Sequence, residues 1–324
     1  MAKILVTGGA GFIGSHLTAM LLEEKHNVVC VDDFNNYYPP QFKKKNIASF
    51  LIQKNYQLCH GDIRDDKFLK RLFSETKPEI IIHLAARAGV RPSIANPKLY
   101  FDVNLIGTLN LLEWSRKSAV SQFIFGSSSS VYGNNARIPF REDEQNLQPI
   151  SPYGISKLAA EKEAYFYHLL YNLPITILRF FTVYGPKGRP DMAPYLFIEA
   201  VLKEKPIKKF GNGISRRDYT YIDDIVNGII AAIRKKRNFE IINLGNSTPV
   251  TLNKFIDTVE KVVGRKAKIK NCPAQPGDVT ETYADIRKAK KLLDWEPQTT
   301  LENGLRKFFE WYCKSGRATK DFER

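Results

Sequence analysis

Cysteine is scarce. The 324 residues hold four, Cys30, Cys59, Cys272 and Cys313, and no two stand at a metal-ligand or redox spacing. This argues against a cysteine-built metal site or redox pair and predicts reduced thiols in a cytoplasmic protein. Long apolar runs are missing too; none approaches the roughly 20 residues that a membrane-spanning helix needs, so no membrane partner is expected. No basic region or cleavage site precedes the apolar Ile4-Leu5-Val6, which predicts the absence of a leader. Neither an internal repeat nor a low-complexity tail is visible. Acidic residues are in deficit, 34 against 49 lysines and arginines, for a formal charge of +15. Such a balance raises a nucleic-acid partner as a question. The basic residues are spread along the chain, however, with short clusters only at Lys43-Lys44-Lys45 and Arg234-Lys235-Lys236-Arg237. No nucleic-acid-binding motif accompanies them. They read as a solvated, lysine-rich surface, part of whose charge serves an anionic small molecule.

What is present is a large apolar fraction, 43%, enough for a substantial core in one or two domains. Residues 2–7 read as a buried strand, followed by Gly8-x-x-Gly11-x-x-Gly14 and a helical run to about residue 24. Glycines in that place permit a tight turn and let the backbone approach a pyrophosphate, and the helix N-terminus offers free N–H groups and a positive dipole end. A second strand, 27–31, ends in Asp32, whose carboxylate suits ribose hydroxyls and would repel a 2′-phosphate; no arginine follows it at once, which favours NAD over NADP. His16, inside the helix, reads as a packing or surface residue. The loop at 34–40 is expected to border the cofactor. Further strands at 56–60, 79–83, 122–125 and 175–179 alternate with helical stretches at 65–76 and 97–117. That rhythm predicts an α/β fold with a doubly wound parallel sheet, with ligands at the carboxyl ends of the strands. Beyond about residue 180 the rhythm weakens. The expected division is a Rossmann domain over 1–180 and a smaller, mixed α/β substrate-binding region over 181–324, with some interleaving of the chain.

Tyr153 and Lys157 stand four residues apart, on one face of a helix that Ser151 would cap and Pro152 would open. A nearby ammonium favours the phenolate, so Tyr153 would serve as a general base. Taken alone the pair is a pattern common by chance, and an exposed tyrosine over a solvated lysine is the better reading of it.

Taken together, Gly8-x-x-Gly11-x-x-Gly14, the serine run before Val131-Tyr132-Gly133, and Tyr153-x-x-x-Lys157 resemble the extended short-chain dehydrogenase/reductases. More narrowly, the chain resembles the NAD-dependent nucleotide-sugar epimerases and dehydratases over nearly its whole length. The resemblance implies a catalytic set of Ser128, Tyr153 and Lys157. It implies NAD contacts from Gly8, Gly11, Phe12, Ile13, Gly14, Asp32, Asp62, Ile63, Leu84, Ala85, Ala86, Tyr153, Lys157 and Phe180, with Asn104 a structural residue beside the active-site helix. It implies UDP-sugar contacts from Arg87, Ser128, Ser129, Ser130, Thr182, Arg189, Arg217 and Asp278. It further implies a homodimer formed through the 97–117 and 152–171 helices. The pattern departs at Gln275, where many UDP-galactose epimerases carry an arginine.

The reaction follows from the serines. The family's 4,6-dehydratases place an Asp-Glu pair between the catalytic residue and Val-Tyr-Gly, and its glucuronate decarboxylases place a Glu at the second of those positions. Here Ser129 and Ser130 stand there, and neither is an acid or base near pH 7. What remains is oxidation of the sugar to a 4-ketone, rotation, and return of hydride to the other face: 4-epimerisation. The segments 86–93 and 181–192 are similar to those of UDP-glucuronate 4-epimerases, which implies that Arg189 holds the sugar carboxylate with help from Thr182 and a serine of the 127–130 run. The alternative is a UDP-glucose/UDP-galactose 4-epimerase, in which an Asn usually replaces Thr182.

Overall fold

Strand residues with alternate side chains in two separate cores dominate the first half of the chain. In the computed structural model, which describes residues 1–273 and 279–315, the strands are β1 (Lys3–Thr7), β2 (Asn27–Asp32), β3 (Tyr56–His60), β4 (Ile80–His83), β5 (Gln122–Ser128), β6 (Ile175–Phe180), β7 (Thr182–Tyr184), β8 (Ile207–Phe210), β9 (Arg216–Tyr221), β10 (Phe239–Leu244), β11 (Pro249–Thr251) and β12 (Ile269–Cys272). Seven of them form a parallel sheet in the order β10-β6-β5-β4-β1-β2-β3. Ile4 and Val6 of β1 enter one core and Leu5 the other. A parallel sheet covered on both faces requires this, and it explains why its strands read as nearly continuous apolar runs.

The chain first moves outward from β1 to β3 and then returns to lay β4 on the other side of β1. In open parallel sheets the ligand crevice lies at such a reversal, outside the carboxyl ends of the strands. Two smaller sheets, β11-β9-β7 and β12-β8, stand beyond it. The core on one face continues from β1 and β6 into the second half of the chain, where it includes Tyr184, Ile229, Phe255 and Phe308.

The helices that shape the crevice obey local rules. Helix α1 (Phe12–Glu23) begins at Gly11 with no side-chain cap. Helices α2 (Pro40–Ile47) and α3 (Asp66–Thr76) follow, the latter capped by Asp65. The stretch read from sequence as one helix over 97–117 is broken into α5 (Pro97–Phe101), a π-helical turn over Asp102–Ile106, and α6 (Gly107–Lys117), after a short α4 (Val90–Ala95). The break has a cause: Asn104 turns inward to bond the Arg87 backbone twice, at 2.8 and 2.9 Å, and Ser156 Oγ at 3.0 Å. Wide turns of this kind concentrate at functional sites. Helix α7 (Pro152–Tyr171) starts as its sequence predicts, with Ser151 Oγ accepting from the Gly154 N–H at 3.1 Å and proline in the first turn. Later helices α8 (Ala193–Leu202), α9 (Ile222–Arg234) and α10 (Leu252–Val263) pack around the small sheets and the far side of α1.

Candidate active site

A cleft of about 1080 Å³ opens at the reversal of strand order. It is larger than the ~300–1,000 Å³ of ordinary small-molecule pockets. The first wall is the β1–α1 turn, with Gly8, Gly11, Phe12, Ile13 and Gly14 on the cleft. Gly8 has φ +69°, and a Cβ there would sit 2.8 Å from the Ala85 nitrogen. The uncapped start of α1 therefore presents its first N–H groups to the cleft. Asp32, at the end of β2, is buried, and Asp62, Ile63, Leu84, Ala85, Ala86 and Phe180 complete this half. Asp62 also binds the Arg64 guanidinium in bidentate fashion, which holds its carboxyl below the usual range against the opposing effect of burial.

One lysine departs from its expected place. Lys43, read from sequence as part of a solvated cluster, is buried; its ammonium bonds Asp32 at 2.8 Å and lies 3.6 Å from Asp33. The physical reason is the neighbouring pair of carboxylates at the end of β2, which offset the cost of desolvating an ammonium.

Strand β5 runs three residues past its expected end at Phe125, so Ser127 and Ser128 are strand residues paired with Arg179 and Phe180 of β6. This fixes Ser128 at the strand's carboxyl end, opposite the first turn of α7. The Ser128 hydroxyl interacts with the Tyr153 phenol, and Ser128 Oγ lies 3.2 Å from Ser130 Oγ. Burial raises the phenol's pKa; the hydrogen bond from Ser128 and the charge of Arg189 act against it. Lys157 does not point its ammonium at the phenol as sequence reasoning expects. It donates to the Gly126 carbonyl at 2.7 Å and lies 4.7 Å from the centre of the Phe125 ring. Burial pulls its pKa down to about 7, with Glu161 opposing. His83 stacks on the same Phe125 and is held neutral by burial and by Lys157. Its tautomer follows from its partners: Thr108 Oγ1 donates to the Asn104 carbonyl, so it accepts from His83 Nε2–H, and Nδ1 accepts from Thr7 Oγ1. His16 is a packing residue, bonded to the Pro186 carbonyl at 2.8 Å and pulled down to about 4 by burial.

Behind the reactive groups lies a network that the sequence reading did not find. Glu161, one turn beyond Lys157, accepts from Ser127 Oγ at 2.5 Å and from Arg179 at 3.0 and 2.7 Å. Arg179 lies 4.8 Å from the centre of the Tyr132 ring, whose hydroxyl donates to Asn243 of β10. A lone charged residue, Arg179, in the buried strand 175–180 was the available signal.

The other end of the cleft carries the sugar-side candidates. Ser129, Ser130, Thr182, Arg87, Arg189 and Arg217 all line it; Asp278 lies outside the described residues. Arg189 is held by Asp191, whose carboxylate accepts from Nε at 3.0 Å and from Nη2 at 2.5 Å. Nη2 also donates to the Tyr37 hydroxyl at 3.2 Å, and the Tyr37 ring lies 5.0 Å from the guanidinium carbon. Arg87 approaches the same ring at 5.7 Å. Tyr37 and Tyr100 both donate to the Ala88 carbonyl, at 2.8 and 2.9 Å, which fixes the segment after β4. Sequence reasoning placed Tyr37 in a loop near the cofactor and gave no role to Asp191; an acid two residues from a candidate clamp was the overlooked cue. Among the described residues no carboxylate is hydrogen-bonded to Ser129, Ser130 or Tyr153, no cluster of acidic, histidine or cysteine side chains is placed to hold a metal, and no helix is long and apolar enough to cross a membrane.

Comparison with known proteins gives the arrangement a context. A family model described as GDP-mannose 4,6 dehydratase matches residues 5–308. The UDP-glucuronate 4-epimerase of Thermodesulfobacterium geofontis is 44% identical over 312 residues, 96% of each chain. The solved UDP-glucuronic acid 4-epimerase of Bacillus cereus, in complex with UDP-glucuronic acid and NAD, superposes with a TM-score of 0.92 at 38% identity, over 97% of this chain and 99% of that one. The UDP-glucose 4-epimerase of Thermotoga maritima, with UDP-glucose, gives 0.90 at 36% identity over the same shares.

Proposed function

The chain belongs to the GDP-mannose 4,6-dehydratase family of extended short-chain dehydrogenase/reductases, and from that premise we propose that it is an NAD-dependent enzyme interconverting UDP-glucuronate and UDP-galacturonate by 4-epimerisation. The observation that carries this reading is the triangle of Ser128, Tyr153 and Arg189: a phenol in contact with a serine hydroxyl and within reach of a guanidinium's field. A sugar with a hydroxyl at C4 and a carboxylate at C5 suits that triangle.

The residues on the cofactor side fit NAD. Close backbone approach at Gly8 and the uncapped start of α1 suit a pyrophosphate, and Asp32 suits ribose hydroxyls. Asp62 and Ile63 would hold the adenine, with Leu84, Ala85, Ala86 and Phe180 along the cofactor, and Lys157 its second ribose. When bound, NAD supplies the acceptor and donor of hydride for the sugar's C4. Tyr153 takes the C4 hydroxyl proton while Ser128 orients that hydroxyl, and Tyr153 returns a proton when the ketone is reduced. Arg189, with Thr182 and a serine of the 127–130 run, holds the sugar carboxylate. Oxidation at C4 creates a β-keto acid, and a fixed carboxylate, with its breaking bond out of line with the ketone, retains CO2. Arg87 and Arg217 serve the nucleotide-sugar end; an arginine binds phosphate through a permanently charged, two-pronged donor set.

The division of labour we infer is a cofactor and catalytic part over 1–180 and a mainly nucleotide-sugar part over 181–324, into which the sheet's β10 and helix α9 are interleaved. Exposed apolar residues on α7 and beside α6, among them Ile106, Ile155, Phe166, Leu169 and Leu170, support a homodimer through these helices. Four unpaired cysteines support a reducing, cytoplasmic location.

Incubating the purified protein separately with UDP-glucuronate and UDP-glucose, with products identified by NMR, tests the reading. UDP-galacturonate is the expected product. Formation of UDP-galactose alone would favour the second reading, a UDP-glucose/UDP-galactose 4-epimerase, whose neutral sugar would leave Arg189 paired with Asp191.

A further inference from the structure

Arg189 does not stand in the cleft as a bare cation. Its side chain is 16% exposed, and one whole edge of the guanidinium, Nε and Nη2, is taken by Asp191. The Nη1 end makes neither of the bonds to Asp191 nor that to Tyr37, and remains for a ligand. Orientation does not depend on Asp191 alone, because the Tyr37 ring and hydroxyl hold the guanidinium from the β2–α2 loop.

Two consequences follow from elementary electrostatics. A recessed arginine without a counter-ion would be stranded whenever a neutral sugar filled the site, and stranding a buried charge is how binding sites reject analogues most strongly. With Asp191 in place that penalty is absent. Conversely, a uronate carboxylate arriving at Nη1 meets a guanidinium already half neutralised and a second negative charge across it. We propose that Asp191 is a specificity-determining residue, a resident carboxylate that keeps Arg189 paired whichever sugar is bound and so narrows the preference for a uronate over a neutral hexose. Specificity is a difference of two affinities, and Asp191 acts on both terms. The proposal rests on the reading of the cleft as a UDP-sugar site.

The test compares the NAD-saturated Tyr153→Phe protein, in which the bound sugar is not turned over, with Tyr153→Phe/Asp191→Asn. UDP, UDP-glucose and UDP-glucuronate are titrated into each by calorimetry. Asp191 is 42% exposed, so the substitution leaves the core intact. The expected result is tighter UDP-glucuronate, weaker UDP-glucose and unchanged UDP, widening the ratio of the two sugar affinities about tenfold or more. Asp191→Glu, which keeps the charge, should hold the parental ratio. Equal weakening of both sugars would mean that Asp191 merely steadies Arg189, and an unchanged ratio would mean that its charge is not felt; either overturns the proposal while leaving the UDP-sugar reading standing. Failure of the parent protein to bind UDP or either sugar would overturn both.

Discussion

The ammonium of Lys43 bonds the Asp32 carboxylate at 2.8 Å in a place closed to solvent. Asp32 is the proposed acceptor for the ribose hydroxyls of NAD, and a positive charge stands beside it on the lining of the cleft. In Asp32→Asn that charge loses its main counter-ion while Asp33, 3.6 Å away, still anchors the lysine. NAD affinity is expected to fall and affinity for 2′-phosphorylated cofactor to rise, shifting the ratio about tenfold or more toward NADP. Equilibrium titration of the cofactor-stripped protein with both nucleotides measures it; an unmoved ratio would show that Lys43 does not reach the 2′ position.

Tyr153→Phe should lower turnover by about 10²–10⁴-fold, the usual contribution of a positioned general base. Binding of NAD and UDP should be retained, since the ring and its edge-on packing against Tyr100 survive. Loss of NAD binding in step with activity would assign Tyr153 to cofactor binding instead.

Arg189→Ala is expected to weaken UDP-glucuronate binding and release a 4-keto-pentose product by loss of CO2. A second signature follows from charge. Arg189 lowers the Tyr153 pKa, which burial has raised, so its removal raises that pKa further. The base is active when deprotonated; the acid limb of the rate profile should therefore move to higher pH. Wild-type turnover of the acid with no leakage and an unshifted limb would remove Arg189 from the clamp.

Lys157 gives a prediction about stability. Its pKa is about 7 in the folded protein against 10.5 for the free group, lowered by burial. Between those values the unfolded chain binds a proton that the folded one does not, so this lysine makes stability rise with pH across the window. Lys157→Met should abolish turnover yet raise the melting temperature, most at and below pH 7 and not at all near pH 10.5. Parallel melting curves for the two proteins against pH would refute the assignment.

Glu161→Gln leaves Arg179, 1% exposed, without its counter-ion. Breaking a buried pair in this way costs about 3–5 kcal/mol. Adding Arg179→Met should recover a large part of the loss, which chemical denaturation of the single and double variants will register. No recovery would mean that Glu161 contributes through Ser127 and not through the ion pair.

Much of this fold is legible in the sequence because its signals are local. Strand period, the glycine turn and the Ser151-Pro152 helix start depend on neighbours within a few residues, and the structure places each where those rules put it. The serines before Val131 were readable as a motif, but the end of their strand was not: β5 continues to Ser128 because β6 pairs with it as far as Phe180. What escaped was made by distant partners. Lys43 looks like any surface lysine until β2 delivers two carboxylates to it. Glu161 sits in a run of helix formers and gains its meaning from Arg179 on the neighbouring strand. The π turn at Asn104 answers to the backbone of Arg87, not to residues of its own helix.

Helix α1, which carries the phosphate-facing turn, packs against α9, and Arg234 of α9 bonds Glu24 just past its end at 2.7 Å. Strand β10, which follows α9, pairs along the full length of β6. On a ribosome β1, β2 and α2 meet the first helix early, but its partner α9 emerges only after about two-thirds of the polypeptide has been made. Until then the nascent chain must carry an uncovered apolar flank on α1, and later an open sheet edge at β6, a state that invites chaperone capture or misassociation. The order of synthesis and the order of completion of this fold are therefore not the same: the helix behind the cofactor turn, though translated early, is fully covered only when α9 has been made.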